Sequence, residues 1–247
     1  MLVAGFPAAA FGTNCYVVAP DAGEECVIID PGIGVAERLA EVVDENRLRP
    51  VAVLLTHGHV DHVMSVVPVC GARGITAYIH PGDRGMLADP LGGWPDDLAA
   101  ALRELAGGTV LTEPDDVAEL TDGAAVSLAG LDFTVDHAPG HTRGSVMFRL
   151  PGGVARVGAE LHTTAELAEA SEVCFTGDVL FAGSIGRVDL PGGNAEAMID
   201  SLRRRVLPLA DTVGVLPGHG PATSIGRERR SNPYLADLSA DRPLSAH

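Results

Sequence analysis

The sequence predicts an α/β (α+β) protein, a four-layer αββα sandwich, on three observations. Apolar runs of strand length alternate with stretches of helical period. Several of those runs end on a glycine followed by a histidine or an aspartate. A length of 247 residues is enough for a sizeable two-layered core.

The elements follow in order. Leu2 to Phe11 is apolar with no basic flank and reads as the opening strand. Strand-like runs come next at 14–19 and at 25–30, where Val27-Ile28-Ile29 ends on Asp30 before Pro31-Gly32. A helical pattern fits 35–46. Val51 to Leu55 is continuously apolar, as a strand buried on both faces should be. A helix over 61–67 should be shortened or kinked by Pro68. Further strands are expected at 75–79, 125–128, 131–136, 145–150, 173–176 and 212–216, with helices at 96–106 and 195–206. No linker, low-complexity run or repeat interrupts this order, so residues 1–247 read as one domain with a short helical tail from about 223.

The net charge of −16 argues against a nucleic-acid partner, which needs a basic track for phosphates. All 17 basic residues are arginine, so any group that binds an anion must be an arginine, a backbone amide or a metal. No apolar stretch is long enough to span a bilayer, so no membrane partner is expected. Cys15, Cys26, Cys70 and Cys174 are widely spaced with no CxxC pair. They read as buried small hydrophobes in a reducing cytoplasm.

The most informative segment is Thr56-His57-Gly58-His59-Val60-Asp61-His62. Three imidazoles and a carboxylate so close together point to metal. In extended chain His57 and His59 face the same way, and Gly58 frees the turn that brings Asp61 and His62 to face a second ion. Three later strands lead into Gly140-His141, Gly177-Asp178 and Gly218-His219. Five imidazoles and two carboxylates suit zinc, iron or manganese.

This arrangement resembles the metallo-β-lactamase superfamily, whose signature is HxHxDH followed by separate His, Asp and His ligands, and the likeness spans residues 12 to 220. The resemblance implies two divalent metal ions, zinc foremost. His57, His59 and His141 would hold the first, Asp61, His62 and His219 the second, with Asp178 bridging. Asp61 and Asp178 are the expected catalytic carboxylates. Two divalent ions less two carboxylates leave roughly two positive charges, enough to make a bridging hydroxide near neutral pH. Asp30 stands where the family has a carboxylate that orients the histidine loop.

The loop Asp178 to Gly193 looks like the glyoxalase II-like branch in its short bacterial forms. That branch hydrolyses thioesters of hydroxyacyl-thiols such as S-lactoylglutathione, a small-molecule substrate. Arg143, Arg227 and Arg229 are candidate substrate contacts, and Arg187 with Asp189 reads as a structural pair. The segment 151–172 departs from the pattern: it could cover the site, lengthen a hairpin or mediate oligomer contacts. A second candidate lid, Asp83 to Asp116, holds the only tryptophan, Trp94. Rival readings are a mononuclear-iron persulfide dioxygenase, a lactonase or β-lactamase, and a metal-binding protein without turnover. A missing ligand would mark the last, and none is missing.

Overall fold

The computed structural model describes residues 1–105, 112–161 and 165–239. Its strands are β1 (Leu2–Pro7), β2 (Asn14–Ala19), β3 (Glu25–Ile29), β4 (Arg49–Leu54), β5 (Thr76–Ile79), β6 (Val117–Glu119), β7 (Ala125–Leu128), β8 (Leu131–His137), β9 (Val146–Pro151), β10 (Arg156–Ala159), β11 (Glu172–Gly177), β12 (Leu180–Phe181), β13 (Ser184–Ile185), β14 (Val213–Pro217) and β15 (Thr223–Ser224). One sheet runs β10-β1-β2-β3-β4-β5-β6 and the other β15-β14-β11-β9-β8-β7, with β12 and β13 forming a small hairpin.

Strand periodicity explains why these runs are apolar at every position. Along β2, Val17 packs into the core under the outer helices and Val18 into the core between the sheets; Ile28 and Ile29 divide in the same way. The inner core joins Val18, Ile29 and Leu54 of the first sheet to Phe133, Phe148 and Phe175 of the second. Helices Ala36–Glu45 and Val66–Arg73 cover the first sheet through Leu39, Val42, Val66 and Val69. Helices Ala195–Ser201 and Ile225–Ser231, with the π-turn Leu202–Val206, cover the second through Met198, Leu202, Val206 and Ile225. The four layers expected from the sequence are those observed.

One local expectation is corrected. The helix after the histidine loop is two helices, Val60–Val63 and Val66–Arg73, and Pro68 neither shortens nor kinks the second. It sits in the first turn, where the missing N–H has no intrahelical acceptor to lose. The segment 151–172 joins β9 to its antiparallel partner β11 and so lengthens that hairpin, one of the three roles expected for it; on the way it adds β10, parallel to β1, to the edge of the first sheet and buries Leu167 in the inner core. His162 within it lies outside the described residues.

The four cysteines are free and buried. Burial pushes the thiols of Cys26 and Cys70 up to about 12 and raises those of Cys15 and Cys174 as well. Among the described residues, no helix is long and apolar enough to cross a membrane.

Candidate metal centre

The site forms where strand ends from both sheets meet. β4 runs into the His57–His62 segment, β8 into the turn carrying His141, β11 into Asp178, and β14 into His219. Hydrogen bonding along each strand fixes where it ends, so residues from four distant parts of the sequence meet. Two glycines are needed here for space. A Cβ at Gly218 would collide with the Asp178 carboxylate, and one at Gly186 with the Asp178 carbonyl.

The structure brings all seven expected donor residues together. Ligand-type atoms of His57, His59 and His141 lie within 4.8 Å of one another, as do those of Asp61, His62 and His219. Asp178 lies between the two groups: Oδ1 is 3.4 Å from His62 Nε2, and Oδ2 is 3.4 Å from His141 Nε2 and 3.5 Å from His219 Nε2. His59 Nδ1 and His141 Nε2 approach to 2.7 Å.

Four of the five rings are turned by the partner of their other nitrogen. Asp30 Oδ2 accepts from Thr56 Oγ1 (2.6 Å), so the Thr56 oxygen is left to accept from His57 Nδ1 (3.0 Å). The same Asp30 oxygen takes His62 Nδ1 at 3.0 Å. His141 Nδ1 donates to the Arg187 carbonyl (2.8 Å) and His219 Nδ1 to the Phe11 carbonyl (3.2 Å). Four imidazoles therefore aim Nε2 at the site. Asp61 is steadied by Thr13 Oγ1 at 2.8 Å.

These donors fit divalent metal. Nε2 of His57 is buried with no hydrogen-bond partner among the described residues, a costly state for an acceptor unless a cation meets it. Burial holds His59 down to about 4 and His141 to about 3, and keeps His57 well below its ordinary value, so all three are neutral donors. Burial opposes a charge on His62, but Asp61, Asp178 and Asp30 outweigh it and lift the ring to about 10. Burial raises Asp178 to about 6. Asp61 stays well below the usual carboxylate range: burial works against this, and His62, His219 and Thr13 prevail. Such opposed shifts mark a cluster arranged for positive charge.

A second buried carboxylate went unrecognised in the sequence. Asp83, 1% exposed, accepts from Gly58 N (3.0 Å), Gly144 N (2.7 Å) and Thr142 Oγ1 (2.5 Å). It thus ties the His57–His59 loop to the His141 loop. The signal was present: Pro81-Gly82-Asp83 follows β5 in the same order of strand, glycine and carboxylate that leads to Asp178.

A cleft of about 420 Å³ opens over the donors. Trp94, Leu98 and Leu102 from the Asp83–Asp116 segment line it together with Phe11, Phe181 and Ile185. No described residue of 151–172 lines it. The proposed arginine contacts fall elsewhere. Arg227 pairs with Glu166 (2.9 Å), and Arg229 with Asp211 (2.8 Å) and the carbonyls of Leu207 and Leu209. Both face the far end of the second sheet because their helix packs there. Arg143 lines a separate hollow with Gly192 and Asn194. Arg187 does reach the cleft, and its guanidinium is held by Asp189 through bonds of 2.6 and 2.7 Å.

The profile of the Metallo-beta-lactamase superfamily matches residues 8–155. The chain is 36% identical over 239 residues to the hydroxyacylglutathione hydrolase GloC of Haemophilus influenzae, covering 94% of this chain and 97% of that protein. Crystal structures similar to it include the B3 metallo-β-lactamase BLEG-1 (36% identity, 94% of this chain and 99% of that one, TM-score 0.74). Another is a protein solved in a di-iron-bound form (35%, 94% and 99%, TM-score 0.69).

Proposed function

Because this chain belongs to the metallo-β-lactamase superfamily, we propose that it is a dinuclear-metal hydrolase that cleaves thioesters of hydroxyacyl-thiols, S-lactoylglutathione or a related low-molecular-weight thiol ester. One observation carries this reading: seven donors converge in two groups that share Asp178, with a buried Nε2 acceptor on His57 that no described residue satisfies. The similarity to GloC supports thioesters as the substrate class.

His57, His59 and His141 would hold one ion and Asp61, His62 and His219 the other, with Asp178 shared. Zinc, iron and manganese all suit this set. When bound, the ions supply a water nucleophile ionised near neutral pH and positive charge for the developing oxyanion. The protein's own residues do the positioning. Asp30 fixes the rings of His57 and His62, the Arg187 and Phe11 carbonyls fix those of His141 and His219, and Asp83 holds the two histidine loops in register. A thiolate leaves without an obligatory general acid, so no further protonating group is required in the cleft. We place the activity in the cytoplasm, on the support of four unpaired buried cysteines, with a small thioester as the only partner needed.

The test is thiol release from S-lactoylglutathione and from simple acyl thioesters by metal-reconstituted protein, with chelated protein as the blank. Release that disappears on chelation and returns with metal is expected. Absence of release from every thioester would overturn the reading, and hydrolysis of a β-lactam in the same assay would favour the likeness to BLEG-1 instead.

A further inference from the structure

We infer that the substrate is an uncharged thioester carrying an apolar chain rather than the thioester of a carboxylate-bearing thiol such as glutathione. The inference rests on the hydrolase reading above and narrows it.

Among the described residues, only two large apolar side chains stand exposed, Phe11 at 58% and Leu98 at 39%. Both line the cleft over the metal donors. Two such side chains at one opening make a surface for an apolar ligand. Phe11 is also held in a left-handed conformation, φ +63°, uncommon for an aromatic residue. That conformation places its carbonyl on His219 while its ring stays at the cleft mouth. Trp94, Leu102, Phe181 and Ile185 continue the apolar lining inward.

The same walls lack what a polyanionic thiol would need. The chain has no lysine. Arg187, the one arginine lining the cleft among the described residues, is already matched by both oxygens of Asp189. Arg227 and Arg229 are paired away from the cleft, and Arg143 opens on a different hollow. Two glutathione carboxylates would enter a protein of net charge −16 and find no unpaired cation among the lining side chains. Desolvating them without partners is unfavourable. An acyl methylene against Phe11 or Leu98 is favourable by an amount worth about threefold in binding.

The experiment compares acetyl, butyryl and hexanoyl thioesters of N-acetylcysteamine with S-lactoylglutathione, using metal-loaded full-length protein. The expected kcat/KM rises about threefold per methylene along the series and exceeds that for S-lactoylglutathione at hexanoyl. Leu98→Ser and Phe11→Ala should each flatten the rise; Leu98 lies on an outer helix whose first turn is open to solvent, so its variant tests the idea without disturbing the donors. Binding is read separately through Trp94, the only tryptophan in the chain and part of the cleft wall. Its fluorescence should report at least about tenfold tighter binding of S-hexyl-N-acetylcysteamine than of S-hexylglutathione, the unpaired carboxylates setting the difference. Equal or tighter binding of the glutathione derivative, or a flat series with S-lactoylglutathione preferred, overturns this assignment and leaves the hydrolase intact. No turnover of any thioester overturns the hydrolase and this assignment together.

Discussion

On one side of the cleft the donor atoms are fixed by hydrogen bonds that reach back into both sheets. On the other, Phe11 and Leu98 stand in solvent on a loop and an outer helix. The donor side keeps two buried carboxylates, Asp30 and Asp83, behind its histidines. The apolar side has nothing comparable, because burying area requires no directional contact. Chemistry at a metal needs ligands placed to a few tenths of an ångström, and recognition of a hydrocarbon needs only surface. Substitutions on the two sides should therefore differ in kind: loss of metal and turnover on one, a change of substrate preference on the other.

The sharpest way to break this contrast is Asp178→Ala. Removing the carboxylate between the two donor groups should lower turnover by roughly a thousandfold or more while circular dichroism stays that of the wild type. Full activity in that variant would reject a shared-carboxylate site.

Next come Asp30→Ala and Asp83→Ala, each expected to weaken metal affinity about 10- to 100-fold, measured by competition with a chelator. Asp30 contacts His62 directly and His57 through Thr56, whereas the Asp83 carboxylate accepts from Gly58, Gly144 and Thr142. Wild-type affinity in Asp83→Ala would show that the two histidine loops keep their register without it.

A smaller effect concerns pH. In metal-free protein, His62 is raised from 6.5 to about 10 and His219 is raised too, burial opposing both shifts and the neighbouring aspartates driving them. A raised histidine stabilises the fold fully below its unfolded value, and that contribution fades as pH climbs toward the folded one. His57, His59 and His141 are shifted downward and so affect stability only below pH 6.5. The cysteines begin to titrate in the unfolded chain near 9. The melting temperature of metal-free protein should therefore fall between pH 6.5 and 9, and metal should flatten or reverse the slope. An equal fall in the metal-loaded protein would separate His62 from the metal site.

The smallest expected change is in Arg227→Ala, which removes an exposed pair with Glu166. Stability should drop by less than about 1 kcal/mol and KM should not move. A raised KM would return Arg227 to the substrate's path.

The layers were legible because the central strands are buried on both faces, and such strands cannot carry polar residues. The donor residues were legible because a histidine or aspartate after a glycine at a strand end has few other uses. The missed elements were those without such signals. β6, β12, β13 and β15 are two or three residues long, and β10 is four residues of mixed polarity at a sheet edge. Pro68 misled because the break at Ser65, which places it in a first turn, depends on Ser65 Oγ and N reaching the carbonyls of Gly32 and Pro31, contacts no local pattern encodes. Asp83 was passed over because two of its three partners are backbone N–H groups about 25 and 61 residues away. The placement of Arg143, Arg227 and Arg229 away from the cleft was not legible for a simpler reason: a guanidinium near a loop in sequence is free to pair with whichever acid the fold brings close.

The cysteines take on a different meaning beside a thioester. Any thiolate exposed to an activated acyl group can accept it, and a protein that handles such compounds risks acylating itself. Only the thiolate attacks. Here all four thiols are buried, with Cys26 and Cys70 pushed up to about 12 and Cys15 and Cys174 raised as well. The chain thus presents no competing sulfur nucleophile at neutral pH, and under the proposed function the acyl group would be left to water.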